Sequence, residues 1–134
     1  MKKITLPLLL CLAQLTACGT QQDKVASSPP ANSYIQISAE QAKTIMDEQE
    51  DYILLDVRTE GEFAEGYIEG AILIPDTEIK SRAEAEMPDK DALILVYCRS
   101  GNRSKRAAEA LADMGYTNVQ EFGGINDWPY EIVK

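Results

Sequence analysis

The chain contains no histidine. That absence removes Cys-His and Ser-His-Asp nucleophilic sites and most zinc sites, because imidazole is the base or the ligand in each. Any nucleophile here must be activated by something else. Positive charge is scarce too: 13 lysines and arginines stand against 22 acids, a net charge of −9. A body this acidic is repelled by nucleic acid and by anionic headgroups, so neither is expected as an electrostatic partner. Long apolar runs are missing. The most apolar stretch, from Ile4 to about Leu15, falls short of the roughly 20 residues a spanning helix needs. Cysteine is limited to positions 11, 18 and 98, and no internal repeat is present.

What is there begins with "MKKITLPLLLCLAQLTAC": a basic start at Lys2 and Lys3, an apolar core, then small residues. That order is expected of an export signal covering residues 1–17, which takes no part in the fold. Its last residues with the next, Leu15-Thr16-Ala17-Cys18, resemble the lipobox of bacterial lipoproteins. The resemblance implies that Cys18 is lipidated and becomes the first mature residue. It further implies a bacterial cell-envelope location, with attachment through acyl chains rather than charge. Losing Lys2 and Lys3 makes the charge two units more negative. Residues 18–33, with Ser27-Ser28-Pro29-Pro30, read as a flexible tether. Residues 34–134 then form one domain of modest core. With Cys11 removed and Cys18 alkylated, Cys98 is the sole thiol. No internal disulfide is possible, and an unpaired thiol in an oxidising compartment is a candidate reactive group.

The domain alternates strand and helix patterns. Tyr34–Ser38 reads as a strand, and Ser38 with Gln41 forms a capping box opening a helix through about Glu48. Tyr52–Val57 is a nearly continuous apolar strand, as strands buried on both faces tend to be. Thr59 with Glu62 makes a second capping box. Ala71–Pro75 is a third strand, with a helix expected from roughly Asp76 to Glu86, and Ala92–Tyr97 is a fourth. The next helix keeps Ala107, Ala108, Leu111 and Met114 on one side and stops at Gly115; Asn118–Phe122 makes a fifth strand. Such alternation implies an α/β fold, a parallel sheet covered on both faces.

Cys98 ends the fourth strand and directly precedes a helix, and ligands of open α/β sheets sit at the carboxyl ends of strands. The intervening "RSGNR" carries Gly101 and Asn102, the residue types that most readily take positive φ. Such a loop can turn successive backbone N–H groups inward into an anion-binding nest. The helix dipole is positive at the same spot, and Arg99 and Arg103 add charge. Each of these favours thiolate over thiol.

At these residues the sequence resembles the rhodanese-like domains. "YCRSGNRS" is similar to their active-site loop, "LLDVRTEGEFAEGYIEGAILIP" to their "DVR…EF…GHI…GA…IP" pattern, and "NVQEFGGINDW" to their closing "V…GG…W" segment. The resemblance implies a five-stranded parallel sheet with helices on both faces, and sulfurtransferase chemistry. Cys98 would be the catalytic nucleophile, taking sulfane sulfur from thiosulfate or a similar donor. Its persulfide would lie in the cradle of Arg99, Ser100, Gly101, Asn102 and Arg103 and pass sulfur to cyanide, a small thiol or a protein thiol. No metal and no cofactor is implied. A non-catalytic sulfur carrier, redox sensor or protein-binding module is the alternative reading. Phosphatases of this general architecture carry Cys-x5-Arg, whereas here four residues separate Cys98 from Arg103 and the sixth place after the cysteine is Ser104. The shorter cradle suits one sulfur atom better than three phosphoryl oxygens. One departure is Tyr67, standing where the family commonly has histidine.

The remaining charges have two readings each. Arg103 either orders the loop by pairing with a carboxylate or steadies the persulfide or donor. Arg99 is expected at the pocket mouth. Asp56 is expected to fix the loop by hydrogen bonds, while Arg58 either pairs with Glu62 or Glu65 or faces the donor. Lys105 and Arg106 read as exposed surface in preference to further anion attraction, and Phe122 and Trp128 as core or pocket wall, mostly core.

Overall fold

The computed structural model describes residues 33–134. The expected signal, residues 1–17, and all of the tether except Ser33 lie outside the described residues. No helix among the described residues is long and apolar enough to cross a membrane.

The chain runs β1 (Ile35–Gln36), α1 (Ala39–Glu48), β2 (Ile53–Asp56), α2 (Glu60–Glu65), β3 (Ile72–Leu73), α3 (Ile79–Glu86), β4 (Ile94–Cys98), α4 (Asn102–Asp113) and β5 (Val119–Gly124). The five strands form one parallel sheet in the order β1-β5-β4-β2-β3. Both capping boxes form. Ser38 Oγ accepts the Gln41 N–H at 3.1 Å, and the Gln41 side chain accepts the Ser38 N–H at 2.9 Å. Thr59 and Glu62 make the reciprocal pair at the start of α2, satisfying N–H groups that have no intrahelical acceptor.

Several boundaries differ from the sequence pattern, among them the third strand, which keeps only Ile72–Leu73 of the expected Ala71–Pro75. β1 is only two residues long, because Ser38 is committed to capping α1. The helix expected from Asp76 opens as a 3-10 turn over Asp76–Glu78, and α3 begins at Ile79. The N–H of Asp76 is tied to the Val57 carbonyl and that of Glu78 to Pro75, so these groups are engaged before a regular helix can start. β5 continues two residues past Phe122, to Gly124.

Strand alternation sorts the core. Val96, Cys98 and Val119 face α3 and α4, packing with Ile79, Ala83, Ala107 and Leu111. Leu95, Tyr97 and Phe122 face the opposite side, with Ala42 of α1 and Trp128. Phe122 and Trp128 are therefore core, as expected. Each large buried side chain contributes about 1.5–3 kcal/mol.

The strand order also locates the site. From β2 the chain goes on to β3 at one edge, whereas from β4 it goes on to β5 on the other side. The loops leaving β2 and β4 diverge, and the crevice between diverging loops is where open sheets bind ligands. Asp56 and Cys98 end these two strands.

The β4–β5 register changes beside this point. Val96 pairs with Glu121, but Cys98 pairs with Gly124, so β5 carries one extra residue. Gly123, at φ +91°, absorbs the bulge. Gly124 then passes so close to the Cys98 loop that a Cβ there would lie 2.0 Å from the Arg99 carbonyl oxygen. Gly124→Ala should therefore force the loop and strand apart, lowering the melting temperature by about 5 °C or more. Calorimetry checks this; an alanine variant melting with the wild type would mean the contact is not essential.

Candidate active site

The site is built where β4 hands over to α4. Cys98 is in the core on the α4 side, 1% exposed. Gly101 adopts φ +103° as the residue before α4, a left-handed conformation that glycine takes without a Cβ clash. That turn brings the Gly101 N–H back onto Cys98 Sγ, donating at 3.0 Å. Asn102, Arg103 and Ser104 follow in the first turn of α4, where backbone N–H groups have no intrahelical acceptor. Of the expected cradle, the Gly101 amide is the one that hydrogen-bonds the sulfur. The sulfur is enclosed, yet polar hydrogen reaches it.

The guanidinium charges are arranged differently from the simplest expectation. Arg103 makes a bidentate pair with Glu62, 2.7 and 2.9 Å from the two carboxylate oxygens. These hydrogen bonds hold the Glu62 carboxyl down at about 2. Of the two readings of Arg103, the structure shows pairing with a carboxylate. Glu62 thereby serves twice, capping α2 and tying it to the start of α4. Arg99 lies at the mouth with its side chain 61% exposed, 3.9 Å from Glu62. Ser100 and Asn102 are exposed.

Asp56 and Arg58 correct the sequence reading. Asp56 is fully buried and does not bond the Cys98 loop. It accepts the Arg58 backbone N–H at 2.9 Å and its guanidinium at 2.7–3.0 Å. Arg58 pairs with neither carboxylate proposed for it, although it reaches the carbonyls of Glu62 and Gly66 at 3.4 and 2.6 Å. Burial pulls this guanidinium down, but Asp56 outweighs it, and Arg58 holds its proton more firmly than usual. Asp56 was right in being structural; its loop is the one after β2. Lys105 and Arg106 are exposed, as expected, with Arg106 3.5 Å from Asp76.

A cavity of about 240 Å³ opens in front of the loop, lined by Arg58, Glu62, Arg99, Ile125, Asn126 and Ile132 among others. A larger one, about 790 Å³, lies by Lys43, Met46, Tyr52 and Trp128. Neither cavity is lined by Cys98 itself; the smaller one is bordered by Arg99, the residue after it, and so lies beside its loop. Among the described residues no cluster of potential metal ligands occurs.

Two polar residues around the sulfur escaped the sequence reading. Ser104 Oγ stands 3.3 Å from Cys98 Sγ, and behind it Glu121 is buried and accepts the Ser104 hydroxyl at 2.6 Å. Period-two alternation from Val119 would have pointed Glu121 inward, a charge at an apolar strand position.

The family model of the rhodanese-like domain matches residues 38–130. The chain belongs to this family. Thiosulfate sulfurtransferase PspE of Escherichia coli is 41% identical over 80 residues, 60% of this chain and 77% of that protein. A sulfurtransferase of Allochromatium vinosum is 38% identical over 94 residues, covering 69% and 86%. The solved structure of rhodanese with anions from E. coli is similar at a TM-score of 0.59 and 38% identity, over 62% of this chain and 98% of that one. In this rhodanese-like domain Tyr67, at the family's histidine position, stacks on Phe63 at 4.1 Å, and its backbone bridges to Val133.

The Glu62–Arg103 pair makes a pH-dependent contribution of definite sign. The Glu62 carboxyl is lowered from 4.5 to about 2 by folding. Its stabilisation is therefore complete above the unfolded value and is lost as pH falls through about 2. Glu62→Gln should be less stable than wild type at neutral pH, and should lose less stability on going to about pH 3. Urea unfolding at both pH values checks this; parallel losses in the two proteins would contradict it.

Proposed function

We propose that this domain moves sulfane sulfur from thiosulfate or a similar donor to a thiophilic acceptor through a persulfide on Cys98. The observation that carries the reading is the Gly101 N–H on Cys98 Sγ at 3.0 Å, at the start of a helix whose next amides lack intrahelical acceptors. Charge on a sulfur in this place is met by fixed backbone dipoles, which need no reorganisation during reaction. Arg103 supports the loop through Glu62, and Arg99 is left to attract an anionic donor across an acidic body. The names of the two relatives, thiosulfate sulfurtransferase and sulfurtransferase, support the same class.

In loading, the Cys98 thiolate attacks the terminal sulfur of thiosulfate. A new S–S bond forms, the donor's S–S bond breaks, and sulfite leaves with its electron pair. In discharge, cyanide or the thiolate form of a small or protein thiol attacks the outer sulfur, which leaves as thiocyanate or as the acceptor's persulfide, and the pair of the broken S–S bond returns to Sγ. No proton acceptor such as histidine is needed in either step once the thiolate exists. The slender terminal sulfur of thiosulfate suits an enclosed nucleophile.

Thiosulfate should add one sulfur atom, about 32 Da, to the domain and none to Cys98→Ser. Intact-protein mass spectrometry decides; a wild type that gains nothing from thiosulfate or polysulfide refutes the reading.

The same reading includes anchoring in a bacterial envelope through lipid on Cys18, supported by the Leu15-Thr16-Ala17-Cys18 box. In a Gram-negative host, Cys18→Ser should leave the membrane fraction. Equal sedimentation of both proteins with membranes would contradict it.

A further inference from the structure

Glu121 is a charged residue in a position suited to an apolar one. It lies on the α4 side of β5 beside Val119 and is 2% exposed, and among the described residues no cation pairs with it. Its Oε1 accepts the Gly123 N–H at 2.8 Å and the Ser104 hydroxyl at 2.6 Å. That hydroxyl has a single proton. A contact of 2.6 Å is in the range of a charge-assisted bond to a carboxylate, and it is shorter than the contacts to the Gly101 and Gly123 carbonyls at 3.0 and 3.2 Å. The proton is thus committed to Glu121. Ser104 Oγ presents only lone pairs to Cys98 Sγ, 3.3 Å away.

We propose that Glu121, acting through Ser104, is a positioning residue that disfavours negative charge on Cys98 Sγ and thereby shifts the site toward its persulfide. The inference rests on the sulfurtransferase reading above. In the resting thiol, the S–H donates to Ser104 Oγ. In the thiolate, the same oxygen faces a full charge with no proton to offer, and a carboxylate stands directly behind it. In the persulfide, Sγ is bonded on both sides and carries no formal charge. The charge then resides on the outer sulfur, about 2 Å farther along the S–S bond, where the loop amides can meet it.

Several other charges near the site are paired. Arg103 of α4 faces Glu62 of α2, and Arg58 after β2 faces Asp56. Arg106 lies by Asp76 at the 3-10 turn, and Arg99 is mostly in solvent. Glu121 of β5 is buried and has no counterion among the described residues. A sulfur that holds charge reluctantly attacks well and leaves poorly. Loading is therefore favoured, and the bound sulfur is retained until a strong acceptor arrives.

Glu121→Gln keeps an oxygen for Ser104 and Gly123 and removes the charge, placing an NH2 where Oε2 stood. The variant persulfide should pass sulfur to cyanide about threefold faster than wild type. Its profile of iodoacetamide alkylation against pH should move to lower pH by on the order of one unit. An unmoved or upward-shifted profile, or an unchanged or slower discharge, overturns the proposal. Should the glutamine chain not fold, Ser104→Ala removes the linking oxygen; it should shift the profile in the same direction, and no shift or an upward one overturns the proposal. The alkylation profile requires no sulfur donor, so failure of the wild type to take up sulfur is a separate result that refutes the sulfurtransferase reading alone.

Discussion

The approach of β5 to the loop after β4 is the constraint on which the site depends. Gly124 passes the Arg99 carbonyl at a distance that admits no Cβ, and the bulge at Gly123 is what brings it there. The loop is closed on its other side by the left-handed turn at Gly101. Between these glycines the backbone has little freedom. It is held with the Gly101 N–H against the sulfur and Glu121 folded back on the Gly123 N–H. A side chain at Gly124, or loss of the extra residue, would undo both arrangements together.

Around that backbone, charge is neutralised in pairs rather than accumulated. Arg103 and Glu62 join α4 to α2, and Arg58 and Asp56 lock the turn after β2. Two guanidiniums that could have formed a cationic pocket instead brace the two loops flanking the crevice. The sulfur is met by the Gly101 N–H and the nearby charge of Arg103 from one side and by the Ser104–Glu121 pair from the other. Such opposition is suited to an atom that must both accept a group and release it. A site that only stabilised anions would make the thiolate abundant and a poor nucleophile.

Much of this was legible in the order of residues. The capping boxes at Ser38 and Thr59, the apolar strands and the helix stop at Gly115 are local signals; the caps and the stop formed where expected, and the strands formed in the expected order with different ends. The placement of Cys98 at a strand end before a Gly-Asn loop was enough to single it out. Asp56 and Arg58 were legible only as members of the site. Their mutual pairing depends on a turn that folds Arg58 back on a residue two positions earlier, and strand pattern does not encode such a turn. Ser104 and Glu121 were not singled out, since one is a small residue in a helix and the other a charge in a short strand.

By itself, then, the sequence determined the element types, the family resemblance, the candidate nucleophile and the absence of an imidazole, because those follow from residue identity and short-range spacing. Only the tertiary structure decided which carboxylate meets which guanidinium, and that a buried glutamate stands one hydroxyl away from the sulfur. The physical reason is that these contacts join α2 to α4 and β5 to β4. They are set by strand order and by a one-residue shift in register, and both arise only when the sheet assembles.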